Sequence, residues 1–162
     1  MFISKIETPL GDLHITANEH GVTYIGFSDD HRQILKASEL DRSANKGKSN
    51  AISEAAAQQL VDYFAGKRKT FDLPLDPAGT EFQQQVWQQL KHVKYGDTAS
   101  YIDIATAINK PKASRAVGAA NGKNPISIVI PCHRIVGSNG TLTGYAGGLD
   151  RKSFLLSLEQ SH

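Results

Sequence analysis

The sequence predicts an α+β protein built in two parts: a small N-terminal domain of β-meander and helix over residues 1–78, and a winged helix-turn-helix domain over residues 79–162. Three observations predict it. The first third alternates between β-prone runs and turn signals. The stretch from Pro74 to Gly79 breaks the periodicity and reads as a linker between the halves. Beyond it come short helical runs joined by a tight turn, and then an Asn-Gly hairpin signal.

Each element has its own signature. Residues 2–6, 13–16 and 22–27 are rich in β-branched and aromatic side chains, and Pro9-Leu10-Gly11-Asp12 and Asn18-Glu19-His20-Gly21 separate them. That pattern fits an antiparallel meander. Residues 41–50 are polar and read as a mobile loop. A helix is expected over 51–64, with Leu60, Val61 and Phe64 inward and Gly66 as its stop. Thr80 suits the N-cap of a helix carrying Phe82, Val86 and Leu90 on one face, with Trp87 beside them and Tyr95-Gly96-Asp97 as the break. Ser100 followed by Asp103 is a capping-box signature for a helix over 101–108. Asn109-Lys110-Pro111 turns into a second short helix over 112–120, ended by Asn121-Gly122. A β-prone run follows at 126–130, then Pro131-Cys132-His133-Arg134, then Asn139-Gly140, whose hairpin would form the wing. Asp150 is placed to cap a last helix carrying Leu155, Leu156 and Leu158.

A chain of 162 residues, 40% hydrophobic and 21% charged, has the composition of a globular protein. No apolar run approaches the roughly 20 residues that span a bilayer. The N-terminus carries no basic stretch followed by an apolar one, so no signal peptide is expected. The single cysteine excludes an internal disulfide and any zinc site built from several cysteines. It points to the reducing cytoplasm. The net charge of +2 hides an asymmetry: residues 1–78 carry nine Lys/Arg against eleven Asp/Glu, and residues 79–162 carry nine against five. The window 91–134 holds Lys91, Lys94, Lys110, Lys112, Arg115, Lys123 and Arg134 against Asp97 and Asp103. A basic half beside an acidic half suits a polyanionic partner, and a solvated basic face is the competing reading.

The second short helix of the pair is made almost wholly of small residues, Ala113-Ser114-Arg115-Ala116-Val117-Gly118-Ala119-Ala120. A major-groove reader offers several long polar side chains to base edges. Small residues let the backbone approach something closely. Either the helix packs tightly on another helix, or it lies in a minor groove with Arg115 able to enter the base stack.

Cys132 lies between a proline and an imidazole. A lone cysteine is commonly an inert core residue, but thiolate reactivity responds to neighbours such as His133 and Arg134. A Cys-His pair fits an acyl-enzyme hydrolase, although no recognisable hydrolase motif surrounds it. Redox exchange lacks a resolving cysteine. A winged-helix regulator with an incidental cysteine is a further reading. Attack of a single soft nucleophile on an alkyl carbon of modified DNA is another, and it would leave a thioether that nothing in the chain can cleave.

Pro131-Cys132-His133-Arg134-Ile135-Val136, with Asn121-Gly122 and Asn124-Pro125 upstream and Gly144-Tyr145-Ala146-Gly147-Gly148 downstream, resembles the methylated-DNA–protein-cysteine methyltransferases, most closely their bacterial Ogt type. The resemblance is most specific over residues 79–160 and looser in the N-terminal half. It implies a ribonuclease-H-like N-terminal domain and a single-turnover, irreversible transfer of an alkyl group from the 6-oxygen of guanine after nucleotide flipping; it leaves the 4-oxygen of thymine open. By resemblance, Cys132 is the acceptor, His133 takes its proton through a water, and Glu159 orients His133. Tyr101 donates to the departing guanine and helps rotate the nucleotide. Arg115 fills the vacated stack, and Ala113, Ser114, Ala116 and Lys123 join it at the DNA. Asn124 braces the site as a hinge, while Val136, Tyr145, Ala146 and Gly147 wall the substrate pocket. Ala146 stands where some relatives carry serine, which leaves contacts with the base to backbone groups. The expected partner is double-stranded DNA containing alkylated guanine, with no membrane, no cofactor and no metal. The expected state is a monomer.

Overall fold

The computed structural model describes residues 1–29, 48–145 and 147–162. The chain divides into two compact units, Met1–Ala78 and Gly79–His162.

The first unit is a three-stranded antiparallel meander, β1 (Phe2–Thr8), β2 (Gly11–Ala17) and β3 (Val22–Phe27), with helix α1 (Ala51–Phe64) packed on it. The β1–β2 register runs from Phe2 opposite Ala17 to Thr8 opposite Gly11, so the turn at residues 9–10 fixes it. Leu13, Ile15, Ala17, Ile25 and Phe27 are buried and meet Leu60 and Tyr63 in one apolar core. Asn50 caps α1 through a reciprocal capping box with Ser53. The inward face of α1 is Ser53, Ala56, Leu60 and Tyr63, which corrects the expected one: Val61 is 44% exposed, and Phe64 is half-buried. The spacing of that face from Ser53 places Tyr63, not Val61, over the sheet. The expected linker, residues 74–79, contains the boundary between the units, and its first residues are held to the sheet. The Val22 N–H donates to the Pro74 carbonyl at 2.9 Å and the Asp76 N–H donates to the Val22 carbonyl at 2.8 Å, which pairs this segment with the start of β3. Of the polar loop expected over 41–50, residues 41–47 lie outside the described residues.

The second unit is mainly helical. Helix α2 (Glu81–Leu90) starts at a capping box between Thr80 and Gln83 and buries Val86, Trp87 and Leu90. Strand β4 (Ala99–Ser100) runs into helix α3 (Tyr101–Ala107), which Ser100 caps with Asp103 in the expected reciprocal pair. Asn109, at φ 62°, takes the left-handed conformation that ends α3. Helix α4 (Ser114–Gly122) then packs on α2 and α3. It begins two residues later than expected and runs through Asn121-Gly122 in place of ending there. Trp87 Nε1–H donates to the Ala120 carbonyl at 2.9 Å and ties α2 to the last turn of α4.

Three further expectations are corrected. Residues 126–130 do not form a strand. The Asn124 side-chain amide donates to the Ile130 carbonyl at 2.8 Å and the Ile126 carbonyl at 3.3 Å, and its Oδ1 accepts from the Ile126 N–H at 3.0 Å. One side chain therefore supplies hydrogen bonds that a neighbouring strand would have offered. Ile128, buried and at φ 72°, holds a conformation that β-branched residues rarely adopt. The Asn139-Gly140 signal does form a turn, with Gly140 at φ 81° and its N–H on the Gly137 carbonyl at 2.8 Å. No hairpin ladder follows it among the described residues, because β5 (Ile135–Val136) pairs in parallel with β4. Finally, the last helix, α5 (Leu149–Gln160), has Gly148 at its N-cap and no side-chain cap; Asp150 sits in its first turn.

Trp87→Phe removes the Ala120 hydrogen bond and leaves a small void in this core. It should lower the stability of the full chain by about 2 kcal/mol, read as a lower urea midpoint at unchanged slope. An unaltered midpoint would show that the indole does not tie α2 to α4.

Candidate active site

Cys132, His133 and Arg134 form a single 3₁₀ turn, entered from Pro131 and continued by β5. All three side chains are buried, Cys132 at 5% exposure. The turn projects His133 and Arg134 toward α5, whose inward residues are Lys152, Leu155 and Glu159. There His133 Nε2 lies 2.7 Å from Glu159 Oε2. Arg134 Nε donates to Glu159 Oε1 at 2.8 Å and Arg134 Nη2 donates to Oε2 at 3.0 Å. Arg134 Nη1 also donates to the Val93 carbonyl at 2.7 Å, and the guanidinium lies over the Tyr95 ring.

The charge states follow from these partners. Burial alone raises the Glu159 carboxyl, but the hydrogen bonds from His133 and Arg134 outweigh it and bring its pKa from 4.5 to about 2. Burial holds the His133 imidazole below its usual 6.5, against the raising effect of Glu159. At neutral pH the carboxylate is ionised and the imidazole neutral, so the shared proton sits on Nε2. Nδ1 is then left as an acceptor, and it is buried without a protein partner among the described residues. The site thus holds a proton acceptor on the residue next to its thiol.

The other expected site residues fall on several elements. Tyr101, at the start of α3, lies 2.9 Å through its hydroxyl from Thr143 Oγ1, and its ring passes Gly118 of α4. On α4, Arg115 and Ala116 are exposed, and Ala113 and Ser114 are half-buried. Together with exposed Ala119 and Lys123 they make a mostly small-residue outer face with a cation near each end. Asn124 braces the 124–130 turn as described. Val136 lines a groove with Thr98, Ser100, Ile102 and Gly137. A Cβ on Gly147 would stand 2.9 Å from the Tyr145 ring, so the backbone passes Tyr145 closely only because the residue is glycine. Ala146 lies outside the described residues.

Sequence reasoning passed over four contributors. Arg134 is a second partner of Glu159, beyond being a nearby cation. Asn121 Nδ2 donates to the Cys132 carbonyl at 3.4 Å, and Thr143 meets Tyr101. Lys152 is wholly buried beneath the site. Only Lys152 left a readable signal: with Leu155 and Glu159 it keeps helical spacing, which places a lysine on an inward face. Among the described residues no group of three His, Cys, Asp or Glu side chains is placed to hold a metal ion. Among them, too, no helix is long and apolar enough to cross a membrane.

Fold and site together define a class, a helix-turn-helix unit with a thiol set beside an imidazole–carboxylate pair in its core. Residues 81–161 match the family described as 6-O-methylguanine DNA methyltransferase, DNA binding domain, and residues 1–77 match its ribonuclease-like domain. The chain belongs to that family. A methylated-DNA–protein-cysteine methyltransferase of Methanosarcina acetivorans is 47% identical over 161 residues, covering 99% of each chain. The constitutive methylated-DNA–protein-cysteine methyltransferase of Bacillus subtilis is 45% identical, covering 98% of this chain and 95% of its own. A crystal structure of Mycobacterium tuberculosis OGT in complex with DNA is similar at a TM-score of 0.85 and 40% identity, covering 99% of this chain and 94% of that one.

The shared carboxylate has a consequence in acid. Both depressed groups contribute stability that is complete above their unfolded values and lost as pH falls. His133 begins to withdraw its share below 6.5, and Glu159 loses its share between 4.5 and about 2. The Glu159 shift corresponds to on the order of 3 kcal/mol. Urea unfolding across pH should show this loss in the parent. In Glu159→Gln the lower window should be nearly flat, on a baseline already lowered by the unpaired Arg134. Parallel pH profiles for the two proteins would remove Glu159 from the acid response.

Proposed function

We propose that this chain repairs double-stranded DNA by moving an alkyl group from the 6-oxygen of guanine to Cys132, once per molecule. The observation that carries this reading is the 2.7 Å pairing of His133 with Glu159, on the turn that holds the chain's one cysteine. His133 Nδ1, through a water, takes the thiol proton. The thiolate attacks the alkyl carbon, the carbon–oxygen bond breaks, and its electron pair leaves with guanine. Guanine takes up one proton, so the products are neutral guanine and a thioether. Thr143 can donate to the Tyr101 oxygen, which leaves the phenol proton for the departing base. Asn124 holds the turn that presents Cys132, and Val136, Tyr145 and Gly147 wall the alkylguanine.

A base inside a duplex cannot reach a buried thiol, so the nucleotide is flipped out. The small outer face of α4 allows close approach to a groove, with Ala113, Ser114, Ala116 and Lys123 at the backbone and Arg115 in the vacated stack. Few base-reading side chains on that face make binding sequence-independent and salt-sensitive. The protein acts as a monomer in the cytoplasm and needs no cofactor.

Intact-mass analysis tests the reaction. Mixing with DNA containing 6-O-methylguanine should add one methyl group per chain, with Cys132→Ala unmodified. Repeated turnover by unmodified protein would overturn the reading. Glu159→Gln should slow transfer by about two to four orders of magnitude, the usual worth of general-base help.

A second comparison separates flipping from chemistry. Unstacking a base costs about a few kcal/mol, and free benzylguanine needs none of it. Arg115→Ala should therefore slow duplex repair far more than reaction with benzylguanine, and Tyr101→Phe should slow both. Equal damage to both reactions by Arg115→Ala would make Arg115 a support of the pocket and not an extrusion finger.

A further inference from the structure

Lys152 has no part in the steps above, yet its side chain is 0% exposed. Its ammonium donates to the Ile135 carbonyl and, at 2.7 Å, to the Thr143 carbonyl. Ile135 opens β5 directly after the Cys132 turn. Thr143 is the hydroxyl partner of Tyr101 and lies two residues before Tyr145. One side chain therefore fastens the segment around Thr143 to the strand that follows the thiol.

Burying an ammonium costs several kcal/mol unless an opposite charge compensates it. Among the described residues no carboxylate pairs with Lys152, and its two carbonyl partners are neutral. Among the described residues, the titratable and charged groups around the turn are His133 and Arg134 on the turn itself, Glu159 and Lys152 from α5, Tyr101 from α3, Tyr95 from the segment after α2, and Tyr145, whose hydroxyl is buried, from the segment before α5. Arg134 is committed to Glu159, and His133 is neutral. Burial pulls the Lys152 ammonium below its usual range, and the charge of Cys132 pushes it back up. Such coupling is reciprocal: a thiolate that favours the ammonium is favoured by it.

We propose that Lys152 is a positioning residue for the transfer: bonded to the Ile135 and Thr143 carbonyls, it clamps the segment around Thr143 to the strand that follows the Cys132 turn, and its buried charge, with no carboxylate partner among the described residues, favours the thiolate. This rests on the alkyl-transfer reading for its purpose and not for its test. Because Cys132 is the only cysteine, the ultraviolet absorbance of its thiolate and its rate of carboxymethylation report on that one sulfur.

Lys152→Met in the full chain should raise the thiolate midpoint by at least about one pH unit, which is about tenfold less thiolate below the midpoint. Transfer from benzylguanine should slow by a similar factor, and Lys152→Arg should return both toward the parent. Should the methionine variant not fold, Lys152→Gln keeps a donor for one carbonyl but carries no charge, and the same rise is expected. Cys132→Ser, which leaves the lysine untouched, should lower the Lys152 titration midpoint read by NMR. An unchanged thiolate midpoint in a folded Met or Gln variant overturns the proposal, even if transfer slows. An unchanged Lys152 midpoint in Cys132→Ser overturns it too. A parent with the expected coupling but no transfer from alkylated DNA would instead sink the alkyl-transfer reading.

Discussion

The second unit is organised around one buried carboxylate. Glu159 receives His133 on one side and the Arg134 fork on the other, with no solvent to share the charge. An exposed ion pair contributes little, but a buried carboxylate that loses a partner leaves an uncompensated charge. The arrangement therefore demands that α5 deliver Glu159 to the turn, and that the turn place two consecutive side chains on the same acid. A 3₁₀ turn does so within three residues. Arg134 extends the constraint by holding the Val93 carbonyl, so the segment after α2 is bound into the same cluster.

The same carboxylate sorts the chemistry. Arg134 neutralises Glu159 and keeps it ionised, and ionised Glu159 claims the Nε2 proton of His133. A histidine buried without such a partner would be free to choose its tautomer; here it presents Nδ1 as the acceptor. Lys152 emerges from the same face of α5 as Glu159, seven residues earlier. One helix face thus supplies both the anion that fixes the imidazole and the cation proposed to face the thiolate.

Much of this was legible in the sequence, and for physical reasons. The meander, the capping boxes at Thr80 and Ser100, and the pairing of α3 with α4 rest on local chemistry that tertiary context leaves intact. Residues 126–130 read as a strand because Ile-rich runs favour pleated surfaces, yet β-propensity records neighbours more than backbone preference. Here Asn124 satisfies the chain from within. The hairpin ladder expected at Asn139-Gly140 is missing among the described residues for a related reason: Ala99-Ser100 pairs with β5, and Lys152 and Tyr101 hold Thr143. Cys132 and His133 stand out by motif, and Glu159 was reached through the family resemblance. Arg134 as the second partner of that acid depends on contacts across 25 residues and had no local signature. The roles proposed at the DNA rest on the resemblance, since exposed Arg115 and Ala116 look the same on an idle helix.

Glu159 holds His133 neutral, protonated at Nε2 and open at Nδ1. Nitrogen NMR of the His133 ring tests it most directly. The spectrum should show a protonated Nε2 and a bare Nδ1 at neutral pH, persisting below the ordinary histidine range. A ring carrying its proton on Nδ1, or one already doubly protonated at neutral pH, would contradict it.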